Sequence, residues 1–455
     1  MIRKLSALLC GMLLMSNLGY AQHEQCGTAE LMNTYLDVHP EAAQAMKAYE
    51  EGIQNRIAEL KMLKSNSASK TTSSVINIPI VFHIVLSQAQ IDEIGSVSSI
   101  YQRAQSEIDV LNRDFNGANT DTVPTIFQPL KGNAGFNFAM VHTAPNGKGT
   151  SGIEFRVASS TYGGFAVGDG NLKSSTGGGL DPWDNSKYLN VWITDITTTS
   201  GGEVLGYAYS PIYAKTVVFD ANQMGVVIDY KAFGSRKVVT DVYFPNSDKG
   251  RTMVHEMGHY FTLWHIWGNV AVGAGSCTKT DPKYDDGISD TPPQKDANQS
   301  VCPGYPKANC TNSTGGEMFM NYMDYVTDVC MRMFSKEQVT RMQSEFVGNG
   351  GSFGLQWNGA AMNWPSGVSN IEANNSIDVV PNPSNGLVNV VFNADVANLK
   401  SIMVISPMGQ VIKSMNYDAN STKSASIDLS EFAKGMYTVK CVFENGTVTK
   451  NVVLQ

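Results

Sequence analysis

The chain has 455 residues, 33 Lys and Arg, 41 Asp and Glu, and a formal net charge of −8. Hydrophobic residues make up 42% and charged residues 16%, an ordinary globular composition that argues against disordered, collagen-like and coiled-coil proteins. The acidic balance argues against a nucleic-acid-binding protein, which needs a basic face. The length predicts two or three domains.

The first 21 residues predict an export signal. Arg3 and Lys4 give it a positive start, and residues 5–14 form an apolar core too short to cross a bilayer. Residues 19–21 (GYA) offer the small Gly19 and Ala21 at the cleavage positions. A short membrane anchor is the alternative interpretation. Of the 7 cysteines only Cys10 lies in this segment, so 6 remain in an exported chain, where disulfide bonds can form.

Residues 22–74 predict a propeptide. Residues 22–64 are polar and helix-prone, and apolar side chains recur on one helical face. The small-polar residues 65–74 that follow are of a kind that proteases readily cut. The apolar face consists of Met46, Tyr49, Ile53, Ile57 and Leu60.

Residues 75–365 predict an α/β domain. A long strand is followed by a helix that Ser96 can cap, by further strands, and by a helix that carries the motif described below. The predicted strands are 75–86, 135–142, 189–194 and 225–229, and the apolar face of the first helix is Ile100, Ala104, Ile108, Leu111 and Phe115.

The pattern changes from about residue 350. Residues 366–376 predict a linker, and residues 377–455 alternate short strands with turn signals, which indicates a small all-β sandwich. The predicted strands are 377–380, 387–392, 401–405, 424–429, 436–443 and 447–454.

The segment 255–265, HEMGHYFTLWH, predicts a metal site. On a helix, His255 and His259 lie one turn apart on one face, so both imidazoles can reach one metal ion. Glu256 lies beside the first ligand and is the natural general base for a metal-bound water. His265 lies beyond that helical face, so the chain must turn back to supply it. Three His ligands leave one position for water, the arrangement of catalytic zinc.

A bare HExxH also occurs by chance in helices that merely expose polar residues. Here the third His is correctly spaced and the chain has only 7 His in all. The segment resembles the zinc signature of metzincin proteases. Residues 320–325 (MNYMDY) and 330–334 (CMRMF) resemble the Met-turn region of the pappalysin family, which includes the ulilysin- and mirolysin-like proteases. Residues 78–83 (IPIVFH) and 111–115 (LNRDF) are also similar to that family.

The resemblance covers roughly residues 75–350 and implies a metzincin-like catalytic domain with a twisted mixed sheet and an active-site helix. It implies that His255, His259 and His265 bind zinc and that Glu256 is the base. It also implies that Met323 forms an apolar floor under the metal and that Tyr325 hydrogen-bonds the oxyanion. Without the resemblance, these last two would be ordinary core residues.

One position departs from the family. The resembling proteases have Gly where this chain has Thr262, at the turn that releases the chain toward the third His. Glycine tolerates an unusual φ there, whereas a β-branched Thr resists φ > 0. Two outcomes are therefore open: an adjusted turn or a strained site. We expect an active enzyme because all three His and Glu256 are present.

Four cysteines, Cys277, Cys302, Cys310 and Cys330, lie between the zinc motif and the end of the Met-turn region. Four cysteines allow three pairings. The resemblance implies the disulfides Cys277–Cys310 and Cys302–Cys330. A second, Cys-rich zinc site is the alternative, although no CxxC pair is present.

Cys26 stands alone in the predicted propeptide. A thiolate is an excellent fourth zinc ligand, and the family's cysteine switch implies that Cys26 blocks the water position and keeps a zymogen silent. An incidental free thiol is the alternative. Cys441, in the C-terminal sandwich, is interpreted as a buried small hydrophobe.

Asp328 follows the Met-turn region. In the resembling proteases an acid at this position lies at the base of the primed-side pocket and pairs with a substrate Arg or Lys, which implies cleavage before these residues. A solvated loop acid is the alternative.

Acidic residues crowd one loop near the site, which predicts a possible calcium site, because clustered carboxylates and carbonyls suit that ion. The spacing does not match an EF-hand, and a solvated acidic loop is the alternative. The candidate ligands are Asp281, Asp285, Asp286, Asp290 and Thr291.

The C-terminal segment 377–455 resembles the sorting domain of the type IX secretion system, through residues 380–383 (VPNP), 408–411 (MGQV), 427–430 (IDLS) and 435–437 (GMY). This implies the type IX machinery as partner and a secreted or cell-surface protein. From the residues alone, the sandwich could also be a carbohydrate-binding or adhesion module.

The sequence therefore predicts a secreted zinc endopeptidase, made as a zymogen, that acts on proteins or peptides. Two other functions remain open: a catalytically impaired zinc-binding surface protein, which Thr262 would favour, and an adhesin whose activity lies in the sandwich.

Overall fold

The structure is a computed structural model of the 455-residue chain. It describes residues 26–66, 75–147, 149–159, 163–198, 202–211, 220–236, 242–270, 272–278, 282–307, 310, 315–346, 357, 362, 377–392, 399–406, 410–416, 424–443 and 446–455. The predicted signal peptide (1–21), most of the small-polar stretch (67–74), the predicted linker (366–376) and Asp281 lie outside the described residues.

The described part of the predicted propeptide, residues 26–66, contains two helices, α1 (Thr28–Val38) and α2 (Ala42–Asn66). Along α2, Met46 and Ile53 are buried, while the other members of the predicted apolar face are partly buried. The amphipathic spacing is therefore used for packing, because α2 lies against the rest of the protein on this side.

The predicted α/β domain, the catalytic segment of the resemblance, is built around one mixed sheet with helices on its faces. In chain order its elements are β1 (Ile76–Ser87), α3 (Gln88–Ile94), α4 (Val97–Phe115), β2 (Phe136–Met140), β3 (Ile153–Ala158), β4 (Phe165–Ala166), β5 (Leu189–Thr194), β6 (Ile196–Thr197), β7 (Gly206–Tyr209), β8 (Gly225–Asp229), α5 (Arg251–Tyr260) and α6 (Lys336–Ser344). Short 3-10 turns lie at Gln128–Leu130, Gly170–Lys173, Ala221–Gln223 and Pro282–Tyr284.

The sheet has the order β2-β1-β5-β8-β7, and β3 pairs with the second half of β1. All of these pairings are parallel except that of β7, which runs antiparallel to β8 at the edge. The twisted mixed sheet is thereby confirmed. Strand β1 is buried along ten successive residues, as expected for a strand covered on both faces.

Helix α4 begins where the sequence predicts. The Ser96 hydroxyl accepts a hydrogen bond from the Ser99 amide at 3.1 Å, which satisfies one of the free amides of the first turn. Ile100, Ala104 and Leu111 on the predicted face are fully buried.

Several elements were not predicted, among them α3, β3 and β7. Strand β7 has only four residues, Gly-Tyr-Ala-Tyr, and all four are buried. Such a short segment has too few residues for a period-two pattern to emerge from the sequence. This omission matters, because β7 borders the candidate site.

The C-terminal segment forms two antiparallel sheets with a core of its own, which confirms the all-β prediction. The sheets have the orders β13-β10-β9 and β12-β11-β14-β15. The strands are β9 (Ile377–Val380), β10 (Leu387–Phe392), β11 (Leu399–Ile405), β12 (Val411–Asn416), β13 (Ser424–Asp428), β14 (Gly435–Phe443) and β15 (Gly446–Leu454). Strand β12 was not predicted because none of its residues is buried, so it shows no apolar alternation.

Candidate active site

The motif helix α5 lies inside the protein, with all ten residues buried. Arg251 fixes its first turn: Nε donates to Asp114 at 2.9 Å and Nη1 donates to the Asp328 carbonyl at 2.8 Å. A buried guanidinium needs such paired acceptors. The helix therefore presents its polar side chains toward a protein interior, where a metal would be shielded from bulk water.

Three imidazoles converge at the end of this helix. Nε2 of His259 lies 3.1 Å from Nε2 of His255 and 3.0 Å from Nε2 of His265. A tetrahedral zinc ion with bonds of about 2.0–2.1 Å to nitrogen separates its ligand atoms by roughly 3.3 Å. Both distances are close to that value.

The opposite ring nitrogens settle which atoms carry protons. Nδ1 of His255 donates to the Tyr322 carbonyl at 2.6 Å, and Nδ1 of His259 donates to the Leu263 carbonyl at 2.8 Å. Because carbonyl oxygens only accept, both Nε2 atoms are left with lone pairs that face each other. Lone pairs at this distance repel unless a cation lies between them. The donor set therefore fits a metal ion, with carbonyls orienting two of its ligands.

Burial favours the neutral imidazoles that a metal requires. It lowers the pKa of His255 to about 4. Burial, followed by the neighbouring imidazoles, holds the pKa values of His259 and His265 well below their ordinary range. Trp267 stacks on His265 with ring centroids 4.5 Å apart, which fixes the third ring.

Glu256 points into the same space. Its Oε2 accepts from the Thr28 hydroxyl at 3.0 Å and from the Cys26 thiol at 3.5 Å, and its Oε1 is buried without a hydrogen-bond partner. Burial raises the pKa of Glu256 to about 8. A carboxyl group with this pKa can take up and release a proton near neutral pH.

Cys26 completes the group of potential ligands. Its Sγ and the ligand nitrogens of the three imidazoles all lie within 4.8 Å of one another. Burial, and after it the charge of Glu256, raises the pKa of this thiol. A metal cation at the centre would oppose both effects, since thiols that bind a metal are deprotonated.

The residues after Cys26 lie against the edge strand β7. The Gly27 amide donates to the Gly206 carbonyl at 2.9 Å, and the Ala208 amide donates to the Thr28 hydroxyl at 2.9 Å. An extended peptide can add to an exposed strand edge in the same way. The N-terminal segment therefore occupies the edge strand that borders Glu256.

Met323 lies under the helix and is fully buried. A Cβ atom at Gly258 would lie 2.5 Å from Met323 Sδ, so the glycine of the motif makes room for the thioether. The Tyr325 ring lies 4.8 Å from that of His265, and its hydroxyl donates to the Cys26 carbonyl at 3.3 Å.

Thr262 adopts a left-handed conformation with φ of 73°. Of the two outcomes left open by the sequence, the structure has the strained one: the turn keeps a shape that favours glycine, and the β-branched residue accommodates it. The Thr262 hydroxyl is buried without a hydrogen-bond partner.

Asp328 lies at the N-terminal end of α5, 3% exposed. Its Oδ2 accepts from the backbone amides of Lys249 at 2.8 Å and Arg251 at 3.3 Å. Burial raises its pKa to about 6. It lines a narrow space of about 10 Å³, room for roughly one water molecule, together with Leu205, Ser247, Thr252, His255, Tyr325, Val326 and Met331.

The carboxylates of the acidic loop accept hydrogen bonds from other groups of the protein. The Asp286 carboxylate accepts from the Thr291 hydroxyl at 2.8 Å, and the Asp285 carboxylate accepts from the Gly287 amide at 3.2 Å. Asp290 accepts from the Ser335 hydroxyl and the Glu337 amide at the start of α6. Within the described ranges these acids do not gather as a group of three or more ligand atoms, so calcium stays a prediction.

The cysteines near the site form two disulfides, Cys277–Cys310 and Cys302–Cys330, the pairing that the resemblance implied. The second of these joins the loop before the Met-turn to the residues just after Asp328. Cys26 and Cys441 are free and buried.

Three contributors to the site were not predicted. Thr28 binds the Glu256 carboxylate, β7 carries the backbone groups beside it, and Arg341 of α6 donates to the Thr262 carbonyl at 2.8 Å. Arg341 lies 76 residues after His265 along the chain, and no local pattern in the sequence could join it to the zinc motif.

The strain at Thr262 generates a prediction. Thr262→Gly and Thr262→Ala both delete the hydroxyl and the methyl group, but only the glycine removes the Cβ atom that disfavours positive φ. The Gly variant should therefore be more stable than the Ala variant by about 1 kcal/mol, after the larger unfolded-state entropy of glycine is subtracted. Denaturant unfolding of the two chains measures the difference. An Ala variant as stable as the Gly variant would contradict the left-handed conformation.

A family model described as pregnancy-associated plasma protein-A, a peptidase family, matches residues 179–347, and one for a secretion-system C-terminal sorting domain matches residues 378–455. Promirolysin of Tannerella forsythia is 34% identical, with a TM-score of 0.60 over 76% of this chain and 100% of that chain. Mature mirolysin of the same organism, in complex with a cleaved peptide, is 37% identical, with a TM-score of 0.54 over 64% of this chain and 99% of that chain.

Two fungal extracellular metalloproteases also match. That of Sordaria macrospora is 32% identical over 160 residues, which is 35% of this chain and 48% of the relative. That of Arthroderma benhamiae is 26% identical over 283 residues, 62% of this chain and 75% of the relative. The sorting domain and these relatives indicate a secreted or cell-surface protein, and no helix among the described residues is long and apolar enough to cross a membrane. The chain thus belongs to the pappalysin family of metalloproteases.

Proposed function

We propose that this metalloprotease is a zinc endopeptidase, made as a zymogen, that cleaves protein or peptide chains before Arg or Lys. The observation that carries the proposal is the convergence of three buried imidazole Nε2 atoms beside the Glu256 carboxyl group, with the Cys26 thiol in the same space. No separate observation favours an adhesin.

Zinc would be held by His255, His259 and His265. When bound there, zinc supplies a Lewis acid that polarises a carbonyl and lowers the pKa of water toward neutrality. The carbonyl acceptors behind His255 and His259 keep the ligand nitrogens aimed at one point, so the ligand geometry requires no rearrangement during the reaction.

Glu256 is the general base and then the general acid. Its Oε1 has no protein partner, so this atom can accept the proton of the attacking water and later deliver it to the leaving amine. Tyr325 can turn its hydroxyl from the Cys26 carbonyl to the carbonyl oxygen of a substrate, where negative charge develops. Strand β7 offers backbone groups that would hold the substrate in an extended conformation.

Asp328 would select the residue after the cleaved bond. Its carboxyl group lines a narrow space that also touches His255 and Tyr325, and this space would widen to admit the cationic end of a long side chain. The proposed cleavage before Arg or Lys rests on this position and charge.

Latency would come from the N-terminal segment. Cys26 is poised to act as the fourth ligand, and Thr28 hydrogen-bonds the carboxyl group that must act as base. The likeness to promirolysin supports a zymogen. The C-terminal sandwich would engage the type IX secretion machinery, as its sorting-domain match suggests. We propose no nucleic-acid partner.

A mixed peptide library tests the catalytic roles. The processed protein should cut, Glu256→Gln should lower kcat/KM by roughly 10³–10⁴-fold, and Tyr325→Phe should lower it by roughly 10²-fold, because a base and an oxyanion donor are lost. Zinc content is measured beside activity. If none of the three proteins cuts while zinc is bound, the strained Thr262 turn has spoiled the site and the chain is a catalytically impaired zinc-binding protein.

Selectivity tests Asp328. In Asp328→Asn the ratio of kcat/KM for Arg against a neutral residue after the cleaved bond should fall about ten- to hundred-fold, the usual effect of losing a charge-assisted pair. The neutral substrate is the internal control, since damage to the start of α5 would slow both substrates alike. An unchanged ratio refutes the pocket assignment.

The same ratio should depend on pH in the parent. Since burial raises the pKa of Asp328 to about 6, the carboxyl group is neutral below that pH and charged above it. The preference for Arg should therefore weaken as the pH falls through this range. In Asp328→Asn the ratio should be flat.

Removal of the thiol tests latency. The intact Cys26→Ala chain should cleave peptides, whereas the parent and Cys441→Ala should stay silent; Cys441 is the matched control because it is also a free, buried thiol. A Cys26→Ala chain as inactive as the parent would show that the thiol is not the block.

A further inference from the structure

The longer helix of the propeptide lies away from the zinc ligands and binds α6 instead. Arg56 pairs with Glu345 at 2.7 Å, Lys61 pairs with Glu337 at 2.7 Å, and the Tyr49 hydroxyl donates to Glu345 at 2.6 Å. None of these contacts serves to block the zinc. A propeptide that only had to deliver Cys26 would not need this second attachment.

Arg341 is the centre of the attachment. Its side chain is 0% exposed, and its Nη1 and Nη2 donate to the two oxygens of Glu50 on α2 at 2.5 and 2.6 Å. Burial alone would raise the pKa of Glu50, but Arg341 outweighs it and holds that pKa below its ordinary value. The pair is thus ionised, bidentate and largely removed from water, which is the stronger kind of ion pair.

The third donor of the same guanidinium reaches the zinc motif. Nε of Arg341 donates to the Thr262 carbonyl at 2.8 Å. Three residues later the chain supplies His265, and the Leu263 carbonyl accepts from Nδ1 of His259. One rigid, planar group therefore joins α2 to the turn that places the third ligand and orients the second.

This turn is the strained part of the site. Thr262 has φ of 73° and a buried hydroxyl without a partner, and strain of this kind persists only where the surroundings fix the backbone. The Arg341 contact supplies such a constraint. The direction of Arg341 depends in turn on Glu50, because a buried guanidinium with an unpaired edge is costly.

We propose that α2 braces the metal-ligand turn: Glu50 holds Arg341, and Arg341 holds the Thr262 carbonyl, so that the propeptide stabilises the zinc site from behind. This is a function separate from the block by Cys26. It rests on the proposed function in treating residues 26–66 as a propeptide and in placing zinc at His255, His259 and His265, and it concerns the intact chain.

The test is the rate at which the zinc-loaded, intact chain loses zinc to an excess of chelator. Glu50→Gln should lose zinc roughly ten-fold faster than the parent. This is the low end of the roughly 10- to 100-fold loss of metal affinity that follows removal of a group that orients a metal ligand. Amide hydrogen exchange should rise in the same variant at residues 262–266. Glu50 is one-third exposed, so the substitution is compatible with folding.

Two controls isolate the route through Arg341. Glu51→Gln removes the same charge from the next, exposed position of α2, and Glu337→Gln breaks an ion pair between α2 and α6 without touching Arg341. Both should keep the parental rate of zinc loss. If Glu50→Gln keeps that rate as well, or if Glu337→Gln changes it equally, the brace is refuted.

Zinc loss is also measured in the Cys26→Ala background. The effect of Glu50→Gln should persist there, because the brace acts on the turn and not on the thiol. If the effect disappears without Cys26, α2 only seats the thiol and the proposal fails. Failure of the proposed protease function would be seen separately, as absent peptide cleavage by the processed protein whatever the zinc rates.

Discussion

The structure depends on three buried imidazoles, in which Nε2 of His259 lies about 3 Å from Nε2 of both His255 and His265. The lone pairs on these nitrogens repel unless a cation lies between them. A neutral ring could relieve the repulsion by carrying its proton on Nε2, but in His255 and His259 a backbone carbonyl keeps the proton on Nδ1. Most other features of the catalytic segment follow from the need to hold these rings together. The buried Arg251 fixes the start of their helix, Met323 fills the space beneath it, and the Thr262 turn returns the chain for the third ring.

Burial also gives neighbouring groups their chemical character. The surroundings that keep the imidazoles neutral raise the pKa of Glu256 to about 8 and that of Asp328 to about 6. In the proposed mechanism Glu256 exchanges a proton with water, whereas Asp328 attracts the cationic side chain of a substrate. A single physical cause, the removal of charged groups from water, therefore tunes both the base and the pocket.

The sequence predicted the elements whose signals are local. Strands Leu189–Thr194 and Gly225–Asp229 have the predicted bounds, because continuous apolar runs mark fully buried strands, and the capped helix α4 begins at the predicted serine. The zinc motif was visible because helical geometry fixes the spacing of its first two ligands. Strand β7 and Arg341 were not visible: a four-residue strand carries no pattern, and a contact between residues 262 and 341 is created only by the fold. The contact of Asp290 with the start of α6 was not visible either, because Ser335 and Glu337 lie about 45 residues further along the chain.

The N-terminal segment supplies hydrogen-bond partners to the polar groups of the candidate site. The Cys26 thiol lies where it could bind a metal, and the Cys26 carbonyl accepts from Tyr325. Thr28 donates to Glu256, and the Gly27 amide donates to the edge of β7. Each of these groups is buried, so removing the segment leaves several polar atoms without partners at once, which is costly unless water or another chain replaces it. An extended peptide can make the same backbone contacts with β7 and offer its own carbonyl to Tyr325. The groups that bind the N-terminal segment, the β7 backbone and the Tyr325 hydroxyl, are thus the groups that would bind an extended substrate once the segment is removed.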